Sequence, residues 1–163
     1  MKRFLLILTV AFFVTSCAQK FQEEKKSRSN YLTKEATRSC SPTDPGVGNN
    51  GSAAYGSHFK TWLQNNGYSD LAQVEGWGGK QNSSDCSAYF EPVIFIHGNG
   101  DYAQSWSGVR DDFIEGNGSD VYYYPSELYA IGWGLKGALN TQYNHHKASY
   151  IETIRRFIAA VKS

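Results

Sequence analysis

Pro92 is followed by Val93, Ile94, Phe95 and Ile96, a β-branched and aromatic run with no polar residue inside it. A strand that meets water on one face alternates apolar with polar, so an unbroken run of this length predicts a strand covered on both faces of a parallel sheet. The run ends abruptly at His97-Gly98-Asn99-Gly100-Asp101. Asp101 and Gln104 stand at capping-box spacing, and Trp106, Val109 and Phe113 give the following helix a buried stripe that Gly116 and Gly118 terminate. A second extended stretch lies at residues 121–124 or 127–133, and Leu128, Ala130 and Ile131 favour the latter. Strand, glycine-rich turn, helix and strand make a βαβ unit, so the expected fold class is α/β, with a mainly parallel sheet flanked by helices.

The flanking segments add helices. Phe59, Trp62 and Leu63 share one helical face, and Asn66-Gly67 supplies a stop. Residues 75–79 and 81–84 are rich in glycine and small polar residues and are expected to break regular structure on the way to Cys86. Residues 149–162 read as a helix, with Ser149 and Glu152 as a capping box and Ile151, Ile154, Ile158 and Val161 along one face.

Lys2-Arg3, the apolar run of residues 4–14 and the small residues Thr15-Ser16 have the layout of a secretory signal. The run is too short to cross a bilayer as a helix, which takes about 20 residues. Val14-Thr15-Ser16-Cys17 resembles the lipobox of bacterial lipoproteins, which predicts cleavage before Cys17 and lipid on that cysteine, an anchor that tethers without spanning. An ordinary signal with a chance cysteine is the plainer alternative. The expected organisation is a signal at 1–16, a flexible spacer at 17–54 and an incomplete α/β domain at 55–163. An oxidising compartment would favour a Cys40–Cys86 disulfide, worth about 4 kcal/mol by loop-closure entropy.

A net charge of +1 with 19% charged residues leaves no basic footprint for nucleic acid. The 11 tyrosines suit stacking on an uncharged or greasy substrate.

The His97-Gly98-Asn99-Gly100 turn carries the chemistry. A small-residue turn between a buried strand and a helix points backbone N–H groups into the space above the strand's carboxyl end and lets a substrate come close. In acyl transfer the carbonyl oxygen gains negative charge, and a prepositioned N–H donor there is worth roughly 3 to 4 kcal/mol. The Asn99 N–H is the main candidate donor, with His97 bracing the loop rather than acting as a base. A phosphate loop is the competing reading, but the Gly-Lys-Ser/Thr ending of one nucleotide motif and the third spaced glycine of the other are both missing.

The sequence Pro92-Val93-Ile94-Phe95-Ile96-His97-Gly98-Asn99-Gly100-Asp101, then Trp106, then residues 126–134, resembles the class II lipase family of α/β-hydrolases. Secreted depolymerases of amorphous poly(3-hydroxybutyrate) are near relatives of that family, and their pattern also resembles Tyr143-Asn144-His145-His146 with the helix after it. Likeness runs from about Tyr55 to Ser163, and residues 122–125 depart from the tightest family spacing. The resemblance implies hydrolysis of esters in lipids or polyesters by a Ser, His and Asp/Glu triad without a cofactor. A Gly-x-Ser-x-Gly elbow is expected after the last helix, and no such motif occurs in the 163 residues. Ser52, Ser105, Ser107 and Ser119 lack the paired glycines, so no catalytic residue is assigned within the chain and the triad is expected beyond Ser163. A fragment ending there would leave a sheet edge unpaired and would be expected to aggregate. His58, His145 and His146 are not promoted to general base, the His145-His146 pair is not read as a metal site, and Asp101 reads as a helix cap. The alternative class is a non-catalytic surface lipoprotein that uses a hydrolase-like scaffold as a binding module.

Overall fold

A computed structural model describes residues 42–86, 90–116, 122–137 and 147–163. The chain divides into two units, residues 1–39 and 40–163; the first lies outside the described residues, as does Cys17. Among the described residues of the second, four strands form one sheet: β1 Ala54–Tyr55, β2 Gly76–Gly78, β3 Val93–Ile96 and β4 Leu128–Ile131. Their spatial order is β1-β2-β4-β3. β3 and β4 are parallel, with Ile96 opposite Ile131. β2 runs antiparallel to β4, Trp77 facing Ala130, and β1 lies parallel to β2. The helices are α1 Ser57–Asn65, α2 Ser107–Glu115 and α3 Ala148–Lys162. The sheet is thus mixed rather than wholly parallel and is flanked by helices, which is compatible with an α/β fold, and the expected β3-α2-β4 unit is present.

Strand alternation sends side chains to two cores. Tyr55, Ile94, Ile96, Tyr129 and Ile131 meet Phe59 and Leu63 of α1 and Phe157 and Ala160 of α3. Phe95, Leu128, Ala130 and Trp77 meet Ala103, Trp106 and Phe113 on the other side. Covering both faces is why β3 carries no polar residue. Glu127 is fully buried at the mouth of β4. Its two carboxylate oxygens accept the N–H groups of Phe90 and Tyr124, each at 2.8 Å, and so tie the approach to β3 to the approach to β4.

Several expectations are corrected. Residues 76–78, expected to be irregular, form a fully buried strand. A Cβ on Gly76 would strike the Tyr55 hydroxyl, and one on Gly78 would strike the Leu128 carbonyl oxygen. Glycine here admits a close neighbour instead of breaking the chain. The Asp101/Gln104 capping box does not form. The first turn, Ala103–Trp106, is 3-10, and α2 begins at Ser107 with no side-chain cap. The Gln104 amide is used elsewhere, donating to the carbonyls of Asn49 at 2.8 Å, Ser52 at 3.2 Å and Val47 at 3.4 Å. On α2 the buried position is Arg110, not Val109, which is 39% exposed. The guanidinium lies over the Trp77 ring, 5.5 Å from its centroid, and pairs with Asp44 and Asp111. Its aliphatic stem replaces the apolar side chain that periodicity suggested.

On α3 the buried residues are Phe157 and Ala160, while Ile151 is 67% exposed and Ile158 is exposed too. The helix turns on its axis to seat Phe157 among the rings of Tyr55, Phe59 and Tyr129, and small Ala160 permits the close approach. Ser149 caps nothing: Lys147 precedes the helix, and Glu152 pairs with Arg155 at 2.9 Å. Among the described residues, no helix is long and apolar enough to cross a membrane.

Candidate functional site

Three strand ends meet at one edge of the sheet. The parallel strands β3 and β4 deliver their carboxyl ends there, with His97 after Ile96 and Gly132-Trp133 after Ile131. β2 runs the other way, so the residue before it, Glu75, arrives at the same level. In open α/β sheets the crevice outside the carboxyl ends of the strands is where ligands bind.

His97 is 2% exposed. Its Nε2 lies 3.0 Å from the Trp133 backbone nitrogen, whose hydrogen can only be donated, so Nε2 carries the lone pair. The proton is therefore on Nδ1, which donates to the Gly98 carbonyl at 2.6 Å. Lys136 Nζ adds a second donor to Nε2 at 2.8 Å. The Trp133 indole stacks on the imidazole with centroids 5.3 Å apart and planes 12° apart, and its Nε1–H donates to the His97 carbonyl at 2.9 Å. Burial lowers the His97 pKa, and the Lys136 charge lowers it further, against the Gly98 hydrogen bond and the charges of Glu75 and Asp101. A neutral ring with both nitrogens engaged by the protein has no free position from which to take a substrate proton.

Lys136 Nζ also donates to the Trp133 carbonyl at 3.0 Å and lies 3.3 Å from Glu75 Oε2. Burial pulls its pKa down, and the adjacent Glu75 carboxylate opposes that. Glu75 is itself buried. Its Oε1 accepts the Ala103 N–H at 2.6 Å, and its backbone carbonyl accepts the Gly132 N–H at 2.6 Å.

The turn itself faces outward. Gly98 and Asn99 are exposed, a Cβ on Gly98 would meet nothing within 4 Å, and Gly100 takes a positive φ of 79°. The Gly98 carbonyl also accepts the Asp101 N–H at 3.2 Å, and the Gly100 carbonyl accepts the Gly137 N–H at 2.8 Å. The loops after β3 and β4 are thereby stitched together.

Asp101 is exposed, and its Oδ1 accepts the Tyr102 N–H at 2.9 Å. His58 is exposed on α1. Cys86 is buried and disulfide-bonded, and Cys40 lies outside the described residues. His145, His146 and Ser119 also fall outside them. Among the described residues, no three His, Cys, Asp or Glu side chains gather as a metal site would need. Sequence reasoning passed over Glu75 and Lys136. They lie 22 residues before and 39 after His97, and no local pattern marks either; only the topology brings them together.

The model of the family described as lipase (class 2) matches residues 90–163. Over these residues the chain is similar to the class 2 lipase family. The matched region takes in β3, the His97 turn, α2, β4 and α3, and the match suggests a lipase-type hydrolase. Glu75 and β2, which complete the packing beneath the turn, precede it. No curated protein and no solved structure matched the chain.

Proposed function

We propose that the protein is an exported lipase or esterase that hydrolyses carboxylic ester bonds of lipids or polyesters, held at a membrane through lipid on Cys17. The turn His97-Gly98-Asn99-Gly100 is its oxyanion loop. One observation carries the reading: the class 2 lipase match spans this turn, which sits at the carboxyl end of β3.

The chemistry follows acyl transfer. A serine oxygen attacks the ester carbonyl carbon and its proton passes to a histidine. The carbonyl oxygen, now negative, is held by the Asn99 N–H until collapse expels the alcohol, which takes the proton from the histidine. Water then repeats the sequence on the acyl-enzyme and releases the acid. The 163 residues contain no Gly-x-Ser-x-Gly motif, and the reading assigns neither the attacking serine nor the proton carrier to a residue of this chain. His97 is not that carrier, because both of its nitrogens are taken up within the protein.

Proline at position 99 removes the proposed donor. In the protein as its gene encodes it, Asn99→Pro is expected to lower kcat for p-nitrophenyl butyrate by about 100- to 1,000-fold with little change in KM. An unchanged kcat would remove Asn99 from the oxyanion site. Binding to a polyester film without any cleavage by the unaltered protein would favour the non-catalytic surface module instead.

A further inference from the structure

An oxyanion donor works only if its peptide plane is held still before charge develops. A trans peptide is planar, and its C=O and N–H point in opposite directions. The direction of the Asn99 N–H is therefore set by whatever grips the Gly98 carbonyl. That grip comes from His97 Nδ1–H at 2.6 Å and, less closely, from the Asp101 N–H at 3.2 Å.

The imidazole can hold the carbonyl only with a proton on Nδ1, and the donors on the other side of the ring place the neutral ring's one proton there. Nε2 receives the Trp133 N–H at 3.0 Å and Lys136 Nζ at 2.8 Å, while the indole of Trp133 lies flat against the ring. Lys136 is held in turn by Glu75 Oε2 at 3.3 Å and by the Trp133 carbonyl at 3.0 Å. Glu75 is anchored through Oε1 to the Ala103 N–H at 2.6 Å, at the first turn leading into α2.

From this chain of contacts we infer that Glu75 and Lys136 are positioning residues for the turn: they hold His97 in the tautomer that orients the Gly98–Asn99 peptide and aims the Asn99 N–H outward. Stability alone does not call for such a pair. Buried ion pairs lose about as much in desolvation as they gain in attraction, and apolar residues of similar volume often serve stability equally well. An apolar pair, however, could not present a donor to Nε2. The inference rests on the ester-hydrolase reading for what the N–H is used for, and not for the geometry.

The charged groups facing His97 are Lys136, Glu75 and Asp101. If Nε2 took a proton, it would confront the Trp133 N–H and the Lys136 ammonium, three donors with no acceptor among them. Burial and the Lys136 charge disfavour this state, against the Gly98 hydrogen bond and the charges of Glu75 and Asp101.

Nitrogen NMR of the protein as its gene encodes it tests the inference without any ester. In the unaltered protein His97 should be a single Nδ1–H tautomer, and the Asn99 N–H should be as rigid as helix backbone, with an order parameter of about 0.85. Lys136→Met should raise the His97 titration midpoint, mix its tautomers and drop the Asn99 order parameter below about 0.6. Lys136→Arg, which keeps a donor for Nε2, should restore both signals. Glu75→Gln, which keeps the acceptor for the Ala103 N–H but loses the charge, should loosen Asn99 in the same sense. A folded Lys136→Met chain with an unchanged tautomer and a rigid Asn99 overturns the inference, and so does a folded Lys136→Arg chain that fails to restore them. Where Lys136→Met does not fold, Glu75→Gln decides: a loosened Asn99 supports the inference and a rigid one ends it. None of these signals reads ester turnover, so a failed ester-hydrolase reading would leave them standing, and their failure would leave the Asn99→Pro result standing.

Discussion

Residues 75–79 and residues 97–100 look alike on paper, each built from glycine around one large ring-bearing side chain, and they meet opposite fates. The first is a strand inside the sheet, with Gly76, Trp77 and Gly78 all buried. The second is an exposed turn at the sheet's edge, with only His97 buried. Glycine serves two purposes here. At Gly76 and Gly78 it is present because neighbouring strands leave no room for a Cβ. At Gly98 there is room to spare, and at Gly100 it is present because φ is positive. What separates the two is the direction of the ring. Trp77 points into the core beneath α2, its Nε1–H donating to the Ala103 carbonyl at 2.9 Å, whereas His97 points back at its own turn and holds it open.

The largest effect that tests this contrast is at Gly78. Its φ of 103° already disfavours any other residue, and a methyl group would collide with the Leu128 carbonyl, which is backbone and cannot move aside cheaply. Adding the overpacking cost to that of an L-residue at positive φ, Gly78→Ala should destabilise the protein by about 3 kcal/mol or more. Urea denaturation measures it. A loss under about 1 kcal/mol would mean that the strand at 76–78 is not wedged against β4, and the contrast with the turn would collapse.

That strand also marks where the sequence stopped being legible. β3, β4 and the β3-α2-β4 connection could be read because an unbroken apolar run and a helical stripe are local signals, and α1 followed from Phe59 and Leu63 in the same way. β2 could not, because glycine lacks the side chains from which strand periodicity is read, and its meaning depends on neighbours far away in the chain. Helix faces fell between these cases. The length of α3 was readable, but its buried face was shifted by Phe157, whose size matters only once the aromatic cluster around Tyr55 is known. At the site, the turn from His97 to Gly100 could be read from its own residues, while Glu75 and Lys136 could not, since their nearness to His97 is a product of strand order alone.

Acid should separate the two segments as well. The His97 pKa is lowered below its ordinary value of 6.5 by burial and by the Lys136 charge. Below that pH the unfolded chain binds a proton that the folded ring resists, so the stability present above pH 6.5 is lost as pH falls towards and through the folded pKa. Stability should therefore decline from about pH 6.5 downward in wild type, and less steeply in His97→Gln. Amide exchange should locate the first loosening at residues 97–101, with residues 76–78 protected until global unfolding. If 76–78 exchanged as early as the turn, the two would share one opening unit and the imidazole would not be a separate brace.

The smallest effect is the sharpest discriminator between glycine kept for room and glycine kept for access. Gly98 has no positive φ, and a Cβ there touches nothing within 4 Å. Gly98→Ala should therefore change stability by less than about 1 kcal/mol, and in the favourable direction if anything, because alanine has fewer conformations to lose on folding. The added methyl group would instead stand in front of the turn, in the space a carbonyl oxygen must enter to reach the Asn99 N–H. Ester turnover should fall in Gly98→Ala although the melting curve does not move, the reverse of what packing predicts for Gly78→Ala. A Gly98→Ala protein that lost stability and kept its turnover would show that the open space is not an approach for substrate, and the turn would then be one more tightly packed glycine corner like residues 76–78.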